Sequence, residues 1–155
     1  MKKYLLTVLT MLMVTFAVSA QETNWRKIYN PSINGEEQIA AAVNQAKKEG
    51  KKVLVQVGGN WCKFCIRLNK YVMTDAELKK MIDDNYVYVH LNYSKENKNE
   101  ALLEKWGNPN EHGFPVYVFL DENGKLTNVQ ETGSLEEGET YNKGKLEKVY
   151  RENAG

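Results

Sequence analysis

The most constraining feature of the sequence is a pair of cysteines, Cys62 and Cys65, separated by only two residues. The pair follows a β-rich apolar run at residues 53–57 and the glycines Gly58-Gly59, and it precedes residues with helical spacing. This pattern predicts a dithiol at a strand-to-helix junction, with a helix that starts near Cys62. The chain has no other cysteine, so a framework of several disulfides is excluded.

Such a junction favours thiol chemistry. Unpaired backbone N–H groups at a helix N-terminus stabilise a thiolate, and Lys63 places a positive charge nearby. We expect Cys62 to be exposed and to attack a substrate disulfide. Cys65, about one helical turn further along, is expected to be partly covered and to resolve the mixed disulfide.

Three other roles are open to the pair from the residues alone. A structural staple would stabilise little, because the closed loop is very short. A zinc site needs about four ligands, and only His90 and His112 could add to the cysteines, without ligand-pair spacing. Haem attachment requires a histidine after the second cysteine, where Ile66 stands. The residues therefore favour a redox dithiol with no metal and no cofactor.

The N-terminal segment has the pattern of a targeting sequence. Two lysines precede an apolar run at residues 5–18, and Ser19-Ala20 supplies small residues for cleavage near Ala20. This pattern predicts a signal peptide at residues 1–20 and an exported, periplasmic domain at residues 21–155. An uncleaved membrane anchor is the alternative, although the run is short for a span of about 20 apolar residues. Disulfides can form and persist after export.

The composition is that of one soluble domain, with 42% hydrophobic and 26% charged residues. The net charge is +1 and there is no long basic run, so nothing favours nucleic-acid binding. No internal repeat, low-complexity tract or flexible linker divides the chain after the N-terminal segment. We expect a monomer.

Hydrophobic periodicity predicts an α/β fold. Early βαβ character followed by a late hairpin indicates a mixed sheet covered by helices on both faces. Residues 25–29 are expected to be exposed or lightly paired, and Thr74-Asp75-Ala76-Glu77 has the pattern of a capping box. The predicted helices are 36–49, one from near Cys62, one from the capping box to 84, 98–106 and 145–152, and the predicted strands are 53–57, 86–91, 116–120 and 126–130.

The segment Trp61-Cys62-Lys63-Phe64-Cys65 resembles the active-site motif of the thioredoxin superfamily. The later segment Gly113-Phe114-Pro115-Val116 strengthens the resemblance, and the exported thioredoxin-like proteins of bacteria are the closer match. The similarity covers residues 25–151. It implies a thioredoxin-like three-layer α/β/α fold with a mixed central sheet, and thiol–disulfide exchange with protein cysteines.

The resemblance also implies roles for individual residues. Cys62 would be the attacking cysteine and Cys65 the resolving one. Pro115 would be a cis proline that faces the disulfide, with the Phe114 backbone pairing to an extended substrate segment and Trp61 shielding the dithiol. Without the resemblance, base rates favour a trans bond, and Pro115 could simply begin a strand.

Two features depart from the pattern of thioredoxins. A buried acid stands six residues before the first cysteine in that family, whereas this chain has Gln56. An amide cannot accept a proton from the resolving thiol, so another group or water is required. The intervening residues Lys63-Phe64 replace Gly-Pro, and a cation beside the thiolate stabilises the reduced form and makes the disulfide more oxidising.

Two functions from different classes follow. The first is an exported thiol–disulfide oxidoreductase, with a reductase slightly favoured over an oxidase and a membrane thiol carrier as electron donor. The alternative is a binding module that holds a partner in the cleft around Trp61 and Phe114, with a permanently closed disulfide.

Overall fold

The computed structural model describes residues 24–155. The predicted signal peptide at residues 1–20 therefore lies outside the described residues. Five α-helices and six β-strands form the described part of the chain. The helices are α1 (Gly35–Glu49), α2 (Lys63–Thr74), α3 (Ala76–Asn85), α4 (Glu100–Lys105) and α5 (Lys143–Ala154), and the strands are β1 (Lys52–Gly58), β2 (Tyr86–Asn92), β3 (Val116–Leu120), β4 (Leu126–Glu131), β5 (Glu136–Glu137) and β6 (Thr140–Tyr141).

The four longer strands form one mixed sheet in the order β2-β1-β3-β4. Strand β1 pairs in parallel with β2 and antiparallel with β3, and β3 and β4 form the predicted hairpin. Gln56 lies near the centre of the sheet, paired with His90 on one side and Tyr117 on the other. The predicted mixed sheet is confirmed.

The residues of β1 alternate between the two faces of the sheet, as a central strand requires. Val53, Val55 and Val57 pack in one cluster with apolar residues of α1 and α4. Leu54 packs in a second cluster with residues of α2, α3 and α5. Helices therefore cover both faces, and the three-layer α/β/α architecture is confirmed. Each large side chain buried in these clusters stabilises the fold by about 1.5–3 kcal/mol.

Helix boundaries agree with the predictions to within about two residues, with one correction. The side chain of Asp75 caps α3 by accepting hydrogen bonds from the backbone N–H groups of Glu77 and Leu78, each at 3.0 Å. The Thr74 hydroxyl instead donates to the Lys70 carbonyl of the preceding helix. The predicted capping box is therefore wrong, because Thr74 is still the last residue of α2.

The segment before α1 is more buried than predicted. Tyr29 is only 3% exposed, although residues 25–29 were expected to be exposed or lightly paired. Its backbone is paired with the side chain of Asn60, which accepts from the Tyr29 N–H at 3.0 Å and donates to the Tyr29 carbonyl at 2.7 Å. Within residues 24–155, no helix has the length and apolar character needed to cross a membrane.

Candidate active site

The Cys62–Cys65 pair lies where β1 passes into α2. Strand β1 ends at Gly58, and Cys62 is the N-cap residue of α2. The Cys62 sulfur accepts a hydrogen bond from the backbone N–H of Cys65 at 3.2 Å. The predicted strand-to-helix junction is confirmed, and the helix N-terminus directs its positive end towards the Cys62 sulfur.

The two cysteines form a disulfide, with a distance of 5.2 Å between their Cα atoms. Cys65 is completely buried and Cys62 is 5% exposed. The expected exposure of Cys62 is therefore wrong in this oxidised state. Its sulfur is bonded to the Cys65 sulfur and accepts the Cys65 N–H in the first turn of α2. Both cysteines pack in one small cluster with Tyr29.

Two exposed aromatic residues flank Cys62 in the sequence. Trp61 is 60% exposed and Phe64 is 43% exposed. The Trp61 indole donates a hydrogen bond to the Tyr93 carbonyl at 2.7 Å, which holds the ring in place.

Basic side chains lie beside these rings. Lys63, between Trp61 and Phe64 in the sequence, is also exposed. The guanidinium of Arg67 lies 5.2 Å from the centre of the Phe64 ring, a distance at which a cation–π interaction forms. The surface beside the disulfide is thus apolar and basic.

The peptide bond between Phe114 and Pro115 is cis, as the resemblance implied. Pro115 is buried immediately before β3, and Val116 pairs with Val57 near the end of β1. The Pro115 carbonyl accepts a hydrogen bond from the Thr132 hydroxyl at 2.6 Å. The pairing of Val116 with Val57 brings the proline loop to the end of the sheet at which β1 leads into the disulfide.

Phe114 connects the proline loop to the cysteines. It packs against the small cluster of Tyr29, Cys62 and Cys65. The ring of Trp61 meets the ring of Phe114 edge to face, with ring centres 5.5 Å apart. The structure thus brings together the cysteines, Trp61 and the proline loop, residues that are up to 54 positions apart in the sequence.

Gln56 is fully buried beneath α2. Its amide nitrogen donates to the Cys65 carbonyl at 3.0 Å and to the hydroxyl of Tyr29. Its amide oxygen accepts from the hydroxyl of Tyr88. The Cys65 carbonyl can only accept a hydrogen bond, which fixes the orientation of the amide. Gln56 therefore ties β1, β2, the first turn of α2 and the segment before α1 together, without contacting a sulfur by hydrogen bonding.

Tyr29 is the site residue that the sequence did not reveal. Its hydroxyl lies in the space above Gly58: a Cβ atom added to that glycine would lie 2.8 Å from the hydroxyl and would overlap the Cys65 sulfur. Burial raises the pKa of Tyr29 well above its usual value, so its hydroxyl stays protonated. The available signals were the Gly58-Gly59-Asn60 sequence, which allows close approach, and the amide of Asn60.

His90 is packed behind this cluster. Its ring lies 5.5 Å from that of Tyr29 and 4.6 Å from that of Tyr88, between ring centres. Its Nε2 atom lies 2.9 Å from Oδ1 of the buried Asn69. Burial lowers the pKa of His90 to about 4, so its ring is neutral at ordinary pH.

The fold and the site together define a thioredoxin-like protein with a disulfide at the start of a helix. A family model described as thioredoxin-like matches residues 34–122, and the chain belongs to that family.

Curated relatives share this part of the chain. The thiol:disulfide interchange protein DsbD of Haemophilus ducreyi is 34% identical over 89 residues, which cover 56% of this chain and 15% of that protein. The disulfide bond reductase DsbH of Chlamydia pneumoniae is 26% identical over 98 residues, which cover 57% of each chain. The chain spans between 15% and 17% of the length of the first DsbD proteins that it matches.

Solved structures share the fold. A structure described as a disulphide isomerase from Xylella fastidiosa Temecula1 has a TM-score of 0.71 and 21% identity, over 81% of this chain and 95% of that one. The reduced C-terminal domain of Neisseria meningitidis DsbD has a TM-score of 0.57 and 19% identity, over 77% of this chain and 97% of that one.

Proposed function

We propose that this protein is an exported reductase of disulfides in other proteins, which acts through Cys62 and Cys65. In the first step the Cys62 thiolate attacks a substrate disulfide, forms a mixed disulfide and releases one substrate thiolate. In the second step Cys65 attacks the Cys62 sulfur and releases the second substrate thiolate, leaving the Cys62–Cys65 disulfide. Because the chain has no further cysteine, a reductant outside this chain must reduce that disulfide again.

One observation carries the proposal: the disulfide lies at the N-terminus of α2, with the Cys62 sulfur already accepting the Cys65 N–H. On reduction the same N–H and the positive end of the helix favour a negative charge on Cys62. Lys63, which is exposed, adds a positive charge beside this residue. A stabilised thiolate is the nucleophile that thiol–disulfide exchange requires.

The surroundings of the disulfide support a protein substrate. Trp61, Phe64 and Phe114 provide an apolar surface beside it, two of them strongly exposed. Pro115 has no N–H, so the loop that it forms presents no donor at that position. We propose that the Phe114 backbone pairs with an extended substrate segment whose disulfide is held over Cys62.

The direction of electron flow and the location are part of the proposal. The name of the Chlamydia pneumoniae relative, a disulfide bond reductase, supports the reducing direction. Lysines 2 and 3 and the apolar run that follows them support export. Outside the cytoplasm a reductase needs a source of electrons, and we propose a membrane thiol carrier as the donor.

The activity is tested by reduction of insulin disulfides with dithiothreitol. We expect the wild-type protein to accelerate insulin precipitation, and we expect Cys62→Ser to remove the acceleration. The double variant Cys62→Ser/Cys65→Ser is the matched control for the reagent alone. Equal rates for the wild type and this double variant would contradict the proposal.

A redox titration separates the oxidoreductase from the binding module with a permanent disulfide. An exchanging pair has a midpoint above about −300 mV, whereas a structural bridge lies below it.

In cells, Cys65→Ser should stall the reaction as a mixed disulfide between Cys62 and a protein substrate. The matched control, Cys62→Ser, should form no such adduct. Adducts of equal amount with both variants would contradict the assigned roles of the two cysteines.

A further inference from the structure

The resolving cysteine needs a group that stabilises its thiolate, and Gln56 does not supply one. Both hydrogens of the Gln56 amide are already donated, one to the Cys65 carbonyl and one to the Tyr29 hydroxyl. Its oxygen accepts the hydroxyl hydrogen of Tyr88. The amide nitrogen therefore has no hydrogen left to donate to the Cys65 sulfur.

The Tyr29 hydroxyl, by contrast, still has its hydrogen to give. Its oxygen accepts from Gln56, and within residues 24–155 no acceptor is bonded to its hydrogen. The hydroxyl and the Cys65 sulfur share the space above Gly58, which only the missing Cβ of that glycine leaves open. Both side chains belong to the same buried cluster. In this disulfide-bonded state no hydrogen bond joins the two groups within residues 24–155.

We infer that the Tyr29 hydroxyl donates a hydrogen bond to the Cys65 sulfur in the reduced protein, and so replaces the buried carboxylate of thioredoxins with a neutral donor. The hydrogen bonds between Asn60 and the Tyr29 backbone hold this residue in place. The Gln56 amide nitrogen orients the hydroxyl by donating to the hydroxyl oxygen. A hydrogen bond to the charged form of a group favours that form. Tyr29 thus lowers the cost of forming the Cys65 thiolate inside an apolar cluster.

This inference specifies the second step of the exchange. The Cys65 S–H bond breaks and its proton passes to water. The thiolate, held by the Tyr29 hydroxyl, attacks the Cys62 sulfur, and the bond between Cys62 and the substrate breaks. The substrate sulfur leaves with the electron pair and takes up a proton from solvent. The dithiol is oxidised by two electrons and the substrate disulfide is reduced by two.

Other titratable groups around the sulfur do not compete for this role. From β2, His90 is neutral and its Nε2 is engaged with Asn69, and the Tyr88 hydroxyl is donated to Gln56. From α2, Lys63 is exposed to solvent and Arg67 is placed over Phe64. At this end of the sheet strand β1 contributes the uncharged Gln56, and His112 before the proline loop is exposed. The Tyr141 hydroxyl of β6 is donated to the Phe64 carbonyl at 3.4 Å.

The test measures the Cys65 thiol directly, in a Cys62→Ser background where it is the only thiol. The ultraviolet absorbance of the thiolate is followed against pH, with and without Tyr29→Phe. We expect the variant to raise the pKa of Cys65 by about one unit, a tenfold loss of thiolate at a given pH. Tyr86→Phe, which removes a buried hydroxyl bonded to the Tyr150 carbonyl, is the matched control and should leave the titration unchanged.

A second variant gives an effect of opposite sign. Site-specific replacement of Tyr29 by difluorotyrosine strengthens the phenol as a donor, and it should lower the pKa of Cys65. An unchanged titration in Tyr29→Phe, or an equal shift in Tyr86→Phe, would overturn the inference. The inference rests on the proposed exchange reaction, but both titrations are made without substrate. A failure of the inference is therefore distinguishable from a failure of insulin reduction.

With a disulfide substrate, the role of Tyr29 has a kinetic signature. Tyr29→Phe should prolong the mixed disulfide between Cys62 and the substrate by about tenfold, because the resolving thiolate is scarcer. The rate at which Cys62 first attacks should stay within about twofold, since its thiolate depends on the helix N-terminus. A slowing of the first step alone would contradict the assignment to Cys65.

Discussion

Gln56 is the buried amide beneath the disulfide, and it determines which hydrogen bonds that part of the interior can form. It is fully buried and its three hydrogen bonds join the Cys65 carbonyl and two tyrosine hydroxyls. An amide meets these partners with two donors and an acceptor, whereas an ionised carboxylate has acceptors only. The amide therefore suits these three partners better than an ionised carboxylate would.

We expect Gln56→Glu to destabilise the oxidised protein by about 1–3 kcal/mol at pH 7, because the Cys65 carbonyl loses its donor and a charge is buried. Burial raises the pKa of the new carboxyl above its unfolded value. The deficit is therefore small at acidic pH and grows as pH rises through the folded pKa. Urea unfolding at pH 4.5 and 7.5 measures it, with the exposed Gln45→Glu as control. A deficit that does not grow with pH would contradict this account.

His90 makes the stability of the protein sensitive to acid. Burial lowers its pKa to about 4 in the folded state, against about 6.5 when unfolded. A lowered pKa means that the full contribution is present above pH 6.5 and is lost as pH falls towards 4. Between pH 7 and 4 the wild type should lose up to about 3 kcal/mol more than His90→Gln. Paired urea titrations check this, and parallel losses in both proteins would refute it.

At the scale of elements, the start of α3 is the clearest place where sequence and structure differ. Asp75 caps the helix through two backbone N–H groups, and Lys143 of α5 lies 2.9 Å from its carboxylate. The hydrogen bond from the Leu78 N–H, followed by that from Lys143, lowers the pKa of Asp75. The contribution of this cap is therefore present at neutral pH and lost on acidification below about pH 4.

We expect Asp75→Ala to reduce the free energy of unfolding by about 1 kcal/mol at pH 7, the usual value of an N-cap. Thr74→Ala should cost less than about 0.5 kcal/mol, because its hydroxyl only bonds back to its own helix. Thermal unfolding of both variants decides between the two caps. A larger loss for Thr74→Ala would favour the capping box instead.

The sequence predicts most elements well because their signals are local. The apolar run at residues 116–120 coincides with β3, and the pattern of Leu146, Val149 and Tyr150 marks the buried side of α5. The segment around Tyr29 has no such period. Its burial depends on Asn60, which lies 31 residues away, and a contact of that range has no local signature.

At the scale of the whole molecule, the cis proline loop beside the disulfide could be inferred from the sequence only through family resemblance. Residue statistics alone favoured a trans Pro115, whereas the bond is cis. The exposure of Cys62 was overestimated, because the packing of Tyr29 and Phe114 on the cysteines involves distant segments. The position of the pair at a strand-to-helix junction was predictable because its spacing and the helical pattern after it are themselves sequence features.

The proposed export makes a prediction for the full chain. The apolar run at residues 5–18 is shorter than the stretch of about 20 apolar residues that a membrane span needs. We therefore expect cleavage after Ala20 and release of residues 21–155 into the periplasm as a monomer. Expression in a Gram-negative host, followed by fractionation, intact mass measurement and size-exclusion chromatography, tests this. A control that lacks residues 1–20 should stay in the cytoplasm. Recovery of the uncleaved chain in the membrane fraction would instead identify an anchor.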